Sequence, residues 1–229
     1  MQISWKNKIN GKPIALVVII IAMMTICGCC YKSSNSGNSY PLMSGDLLFQ
    51  VNKSSELVDA ITNSTISFED LSYSNVGVLI EEDNELYVIV SGTINGVEIM
   101  QLQTFLTKSA VTQDNKPIVI AKRLKDTSFV SNAIERTKAL IGKPFDFAFL
   151  PNNNAIYGSE LVYESYLDNN NNPLFASHQM FFRDSTGNTS ERWISYFKSY
   201  NLDVPIGEYG TNPNDMANDT ILEEVYRFF

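Results

Sequence analysis

Beyond residue 30 this chain of 229 residues has no cysteine: Cys27, Cys29 and Cys30 all lie near its start. From Tyr31 to Phe229 that excludes a disulfide framework, a thiolate metal site and a cysteine nucleophile. Histidine is almost as scarce, since His178 is the only one, which argues against a histidine-based zinc site. No metal or other cofactor is therefore expected. Basic residues are outnumbered, with Lys+Arg 17 against Asp+Glu 25 and a net charge of -8. Without a basic stripe to offset phosphate repulsion, nucleic acid is excluded as a partner. No repeat with a period of 20 to 50 residues is visible. What is present suits one core: hydrophobic residues make up 44% of the chain, and the length fits one domain of roughly 100 to 200 residues plus a leader.

The first 28 residues contain no acids and three lysines, Lys6, Lys8 and Lys12, followed by the apolar run from Ile14 to Ile26. A positive segment before an apolar stretch of roughly 7 to 15 residues is the pattern of a secretory signal, shorter than the roughly 20 residues a spanning helix prefers. Its end, Ile26-Cys27-Gly28-Cys29, resembles a bacterial lipobox. That resemblance implies a signal peptide over 1–28, cleavage after the small Gly28, and a diacylglycerol on the thiol of Cys29, which becomes the new N-terminus. Two or three acyl chains anchor stably where one holds only marginally. The alternative is an uncleaved N-terminal membrane helix with incidental cysteines. Both readings put the domain outside the cytoplasm, and the lipidated one makes the membrane a partner in a bacterial cell envelope. Residues 29–40, rich in Ser, Asn and Gly, read as a flexible tether.

Residues 41–229 read as the single domain. Strands are predicted at Leu47 to Val51, Val76 to Ile80, Leu86 to Val90, Val97 to Leu102 and Pro117 to Arg123, from short β-branched or apolar runs bounded by turn residues. The second and third pair as a buried hairpin around EEDN. Ser55 reads as the cap of a short helix over ELVDAI. Helical spacing covers Thr127 to Ile141, stopped by Gly142. It covers SELVYESYL, with Leu161, Val162, Ser165 and Tyr166 on one face, and Ser190 to Tyr200, with Trp193, Ile194 and Phe197 inward. Gly207 to Asn218 is turn-rich and reads as a surface wrap.

Four segments carry a family resemblance: GDLLF at Gly45 to Phe49, YSNVGVLI at Tyr73 to Ile80, IGKPFDFAFLPNNNAIYGSELVYESYLD at Ile141 to Asp168, and GTNPNDMA at Gly210 to Ala217. The long third segment is the specific one. Together they resemble the permuted papain-like amidases of the YiiX/YebB group in the NlpC/P60 superfamily. The resemblance implies an α+β, circularly permuted papain-like (NlpC/P60) fold with an antiparallel sheet packed against helices. It also implies a histidine on an early strand facing a cysteine at a later helix start. That order serves the chemistry: backbone N–H groups at a helix start lower a thiol's pKa and help hold an oxyanion, while the imidazole takes the proton.

This sequence departs from the pattern at the chemical positions. Asn75 stands at the histidine of the family's S-H-V-G-I stretch, Gly158 at the cysteine of Y-C-S-E-L-V-Y, and Val90 at the acidic position of V-I-E/D-A. An asparagine is no general base near neutral pH, and a glycine has no side chain with which to attack. Tyr157, Ser159 and Glu160 flank the changed position and are the ligand-binding candidates. Ser159 also reads as a helix cap, because successive helical residues point roughly 100 degrees apart and its hydroxyl misses the thiol's place. Glu160 reads as a first-turn carboxylate favoured by the helix dipole. Phe145, Phe147, Phe149, Tyr157, Tyr163 and Tyr166 are candidates for a cleft lining or for core. His178 lies apart from every matched position and reads as a surface or loop residue.

Three functions fit. The leading one is a noncatalytic envelope lipoprotein that keeps the family's cleft for an amide, peptide or acyl-bearing ligand. The second is an active hydrolase of cell-wall peptide or lipid amides using a substitute nucleophile such as Ser159. The third is a structural lipoprotein with a collapsed cleft. All three share the anchor, so Cys29→Ser should release the protein from membranes or block its processing, whereas Cys30→Ser should not. Intact-mass analysis of the mature N-terminus checks this, and an unacylated start elsewhere would refute it.

Overall fold

The sheet is built from strands whose alternate residues are buried on both faces, so their sequences run apolar almost without a break. The computed structural model describes residues 41–65, 69, 71–184 and 186–229. The leader over 1–28, Cys29 and the tether over 29–40 lie outside the described residues. Along the chain come β1 (Leu47–Gln50), α1 (Glu56–Ser64), β2 (Asn75–Glu82), β3 (Glu85–Gly92), β4 (Gly96–Gln101) and α2 (Leu102–Thr107). Then follow β5 (Val119–Leu124), α3 (Val130–Ala139), α4 (Gly158–Ser165), β6 (His178–Gln179), α5 (Glu191–Ser199), β7 (Tyr209–Gly210), α6 (Pro213–Asn218) and β8 (Leu222–Arg227).

Six strands form one antiparallel sheet in the order β4-β3-β2-β1-β5-β8, and β6 and β7 form a separate two-stranded ribbon. The α+β class and the antiparallel sheet packed against helices are therefore as read from the sequence. Leu47, Phe49, Val76, Val78 and Ile120 pack with Ala133 of α3 and Val162 of α4. The alternate residues Leu48, Leu79, Val88, Val119 and Ala121 pack with Phe105 and Leu106 of α2. The β2–β3 turn places Asp83 and Asn84 at positive φ, the left-handed pair that a tight hairpin demands and that Asp and Asn tolerate. Ser55 caps α1 as expected, its Oγ accepting from Val58 N at 3.2 Å.

At the entry to β1, Gly45 has φ +91 and lies so close to Val130 that any Cβ would collide with it. The neighbouring Asp46, 1% exposed, takes Arg123 Nε at 2.7 Å and Nη2 at 2.8 Å. Arg123 Nη2 also donates to Pro41 O, so one guanidinium ties the start of the domain to β5.

Several expectations are corrected. The helix expected over Thr127 to Ile141 begins as a 3-10 turn at Thr127–Phe129 and ends at Ala139, leaving Ile141 exposed. On α5, Ile194 points outward and Tyr196 is buried in its place, because Trp193, Tyr196 and Phe197 form the stripe that meets α1 and the aromatic cluster. The strand expected to reach Leu102 stops at Gln101, where α2 begins, and β8 was not foreseen. Gly207 to Asn218 is no surface wrap. Asn212 accepts from Asp215 N at 2.9 Å and caps α6, Pro213 occupies its first turn, and Asn214, Met216 and Ala217 are buried. Asn and Pro are turn residues and helix-start residues alike, and here the second role wins.

Asn214 shows why that helix matters. Its Oδ1 accepts from Tyr73 N at 2.7 Å, and its Nδ2 donates to Tyr73 O and Thr65 Oγ1, both at 2.8 Å. All this happens at 0% exposure, so a fully satisfied amide holds the segment that leads into Asn75. Asn214→Ala should lower stability by about 3 kcal/mol, since it strands buried backbone groups without partners; urea unfolding with an unchanged m value would show it.

Candidate functional site

The helix start at Gly158 and the strand start at Asn75 meet. Asn75 opens β2 opposite Gln50 of β1, and Tyr157 holds the N-cap position of α4 in extended backbone, so Gly158 is the first helical residue. A Cβ on Gly158 would stand inside 3.0 Å of Asn75 Oδ1. The same Oδ1 accepts from Val76 N at 3.0 Å, which fixes the orientation of the amide and turns its Nδ2 away from that bond. Val90, on β3 opposite Glu98 of β4, is 4% exposed. Asn75, Val90 and Gly158 all border one cleft of about 1010 Å3.

Tyr157 and Ser159 also line this cleft, and Glu160 does not. Ser159 is not the helix cap. It is 2% exposed, and its Oγ accepts from Thr211 Oγ1 at 3.0 Å. Thr211 N in turn donates to Tyr157 Oη at 3.0 Å. These hydroxyls tie the helix start to the ribbon of β6 and β7. Burial pushes the Tyr157 phenol up to about 12, so it acts as a neutral hydrogen-bonding group. No imidazole reaches Ser159 in this network, because His178 is exposed and pairs through β6 with Gly210. His178 nonetheless sits on the cleft lip, closer to the matched positions than its place in the sequence indicates.

Of the six candidate aromatics, Phe145, Phe149 and Tyr157 line the cleft. Tyr166 is core at 0% exposure, its Oη donating to Gly45 O at 2.8 Å. Phe147 packs behind the wall against Tyr200, and Tyr163 lies outside the cleft lining. The wall is completed by residues outside those candidates: Trp193 and Tyr196 meet the Phe149 ring, and Phe182 meets Trp193, in edge-to-face and tilted contacts of 5.0 to 5.9 Å. Thr211 was also missed, although it falls in the matched GTNPNDMA segment, because that stretch read as turn.

Glu160 turns back along α4, where its carboxylate accepts from Tyr157 N at 3.2 Å. Burial pushes this carboxyl up to about 8 against the pull of that N–H, with Asp146 adding to the rise. An acid whose folded value is raised holds a proton that the unfolded chain has already released, so stability should fall as the pH rises from its ordinary 4.5 towards about 8. Glu160→Gln keeps an acceptor for Tyr157 N and should flatten that decline in a series of melts between pH 5 and 8. An equally steep decline in the variant would put its source elsewhere.

A family model described as permuted papain-like amidase enzyme, YaeF/YiiX, C92 family, matches residues 41–226. No curated protein sequence matches. Among solved structures, the metalloprotein YiiX from Escherichia coli O157:H7 is similar with a TM-score of 0.64 and 20% sequence identity, covering 81% of this chain and 97% of that one. Among the described residues of this chain, no three His, Cys, Asp or Glu side chains gather at one point. With nearly the whole described domain inside the family match, the chain belongs to the permuted papain-like amidase family of the YaeF/YiiX type.

Proposed function

We infer that this member is an envelope lipoprotein, anchored through Cys29, that binds an amide, peptide or acyl-bearing ligand in its cleft without hydrolysing it. The observation that carries the reading is the contact between Gly158 and Asn75. Where the resemblance places a thiol, there is no side chain, and the oxygen of Asn75 fills the space in which one would begin. An amide cannot serve as the base, and Val90 supplies no acid to orient one. The cleft beside these residues stays open at about 1010 Å3, which weighs against a collapsed structural remnant.

The contact also revises what the vacated position offers. A glycine at a helix start leaves N–H donors that suit a carboxylate, but the Asn75 oxygen stands against the same residue and would repel an anion there. A neutral group suits the site better. The rival nucleophile, Ser159, is buried and engaged by Thr211, and its attack would need a base that the cleft does not place beside it.

Restoration tests this. Gly158→Cys alone should stay inactive, because its Cβ would run into Asn75. The variant with Gly158→Cys, Asn75→His and Val90→Glu together should turn over a simple amide at least about 100-fold faster than any single change, since such residues act as a unit. Wild-type turnover that disappears on Ser159→Ala would sink the noncatalytic reading in favour of the substitute nucleophile.

A further inference from the structure

The cleft has more character than an apolar slot. Its charged lining residues carry both signs: Lys108 pairs with Glu98 at 3.3 Å, Asp215 takes Asn212 Nδ2 at 2.7 Å, and the Arg183 guanidinium lies over the Phe181 ring at 4.6 Å. Glu56 alone among these charged side chains has no such partner among the described residues. With Arg183 offset by Glu56 and Asp215, the lining has no field of a single sign to select a strongly ionic ligand.

Uncharged polar groups are left available instead. Asn75 Nδ2 on the sheet, the Thr93 hydroxyl in the β3–β4 turn and the Gln179 amide on the ribbon all line the cleft without a hydrogen-bond partner among the described residues. A side-chain amide is donor and acceptor side by side, which matches the spacing of neighbouring hydroxyls or of an acetamido group. A wholly apolar chain would leave these groups unanswered.

The lips also present aromatic rings. Tyr200 is 45% exposed and Phe181 38%, and both border the cleft. Phe147, which is not a lining residue, holds the Tyr200 ring from behind at 4.5 Å and 32°. That leaves a fixed, partly hydrated platform in a site whose volume sits near the top of the roughly 300 to 1,000 Å3 typical of small-molecule sites. Rings of this kind stack against the C–H faces of pyranoses, and amides and hydroxyls bind their edges.

We propose that the cleft accepts an uncharged saccharide, with Tyr200 as its stacking platform and Asn75, Thr93 and Gln179 as edge contacts. This rests on the reading of the cleft as a binding site and names the ligand class for it.

The test titrates the full chain in detergent with three probes by calorimetry: an N-acetylglucosamine trimer, an alanyl-isoglutamate peptide and octanoyl amide. The trimer should bind, and Tyr200→Ala should weaken it about 5- to 10-fold. Gln179→Ala, on an exposed side chain that the fold does not need, should weaken it about 5-fold. Melting curves of both variants establish that they fold. Trimer affinity unchanged in both variants would overturn the proposal. Binding of the peptide or octanoyl amide but not the trimer would overturn it too, while leaving the noncatalytic binding reading intact. Binding of none of the three would remove both.

Discussion

Everything about this site turns on how closely a helix start approaches a strand start. Gly158 has no Cβ, and the space that atom would take belongs to Asn75 Oδ1. Two residues thus share a volume that a larger pair would have to divide differently, and close-packed interiors transmit such demands to neighbours. The approach is held from three sides. Asn214 fixes the backbone at Tyr73, the Ser91 hydroxyl on β3 donates to Ile156 O just before the helix, and Thr211 braces Tyr157 and Ser159 from the ribbon. Each brace is a hydrogen bond in a buried place, where an unmatched partner costs about 1 to 3 kcal/mol.

The cleft owes its openness to a division of labour between its walls. One wall is an aromatic cluster in which Phe149, Trp193, Tyr196 and Phe197 support one another in edge-to-face and tilted contacts. Those rings are at most 6% exposed, so they form a firm back wall, and the exposed rings lie only at the lips. The other wall is the end of the sheet, where strand geometry spaces Gln50, Asn75 and Val90 regularly. Rigid surroundings of this kind preorganise a site, and preorganisation lowers the ordering cost of binding.

Reactive side chains and the scaffold that carries them are physically separable. Catalysis needs a nucleophile and a base at one point, whereas the fold needs the apolar alternation, the caps and the latches spread along the whole chain. Glu160 illustrates the difference. It stands two residues from Gly158, yet its carboxyl serves the helix start, away from the cleft. Fold membership therefore does not carry the chemistry with it.

The amino-acid sequence by itself determined most strands and the longer helices, and the absence of a thiol from the domain. Strand runs, the Ser55 cap and the absence of cysteine beyond residue 30 are local facts, and local physics reads them. The family segments added the order of the elements and the pairing of Asn75 with Gly158. Only the tertiary structure decided that Asn212 and Pro213 start a buried helix, that Tyr196 and not Ile194 faces inward, and that His178 reaches the cleft lip. It alone placed Oδ1 of Asn75 in the space beside Gly158. Turn and cap residues are the same letters, and the angle of a helix against its neighbours shifts which face is buried. A contact between residues 75 and 158 depends on how the chain between them packs, and periodicity along the chain carries no record of that.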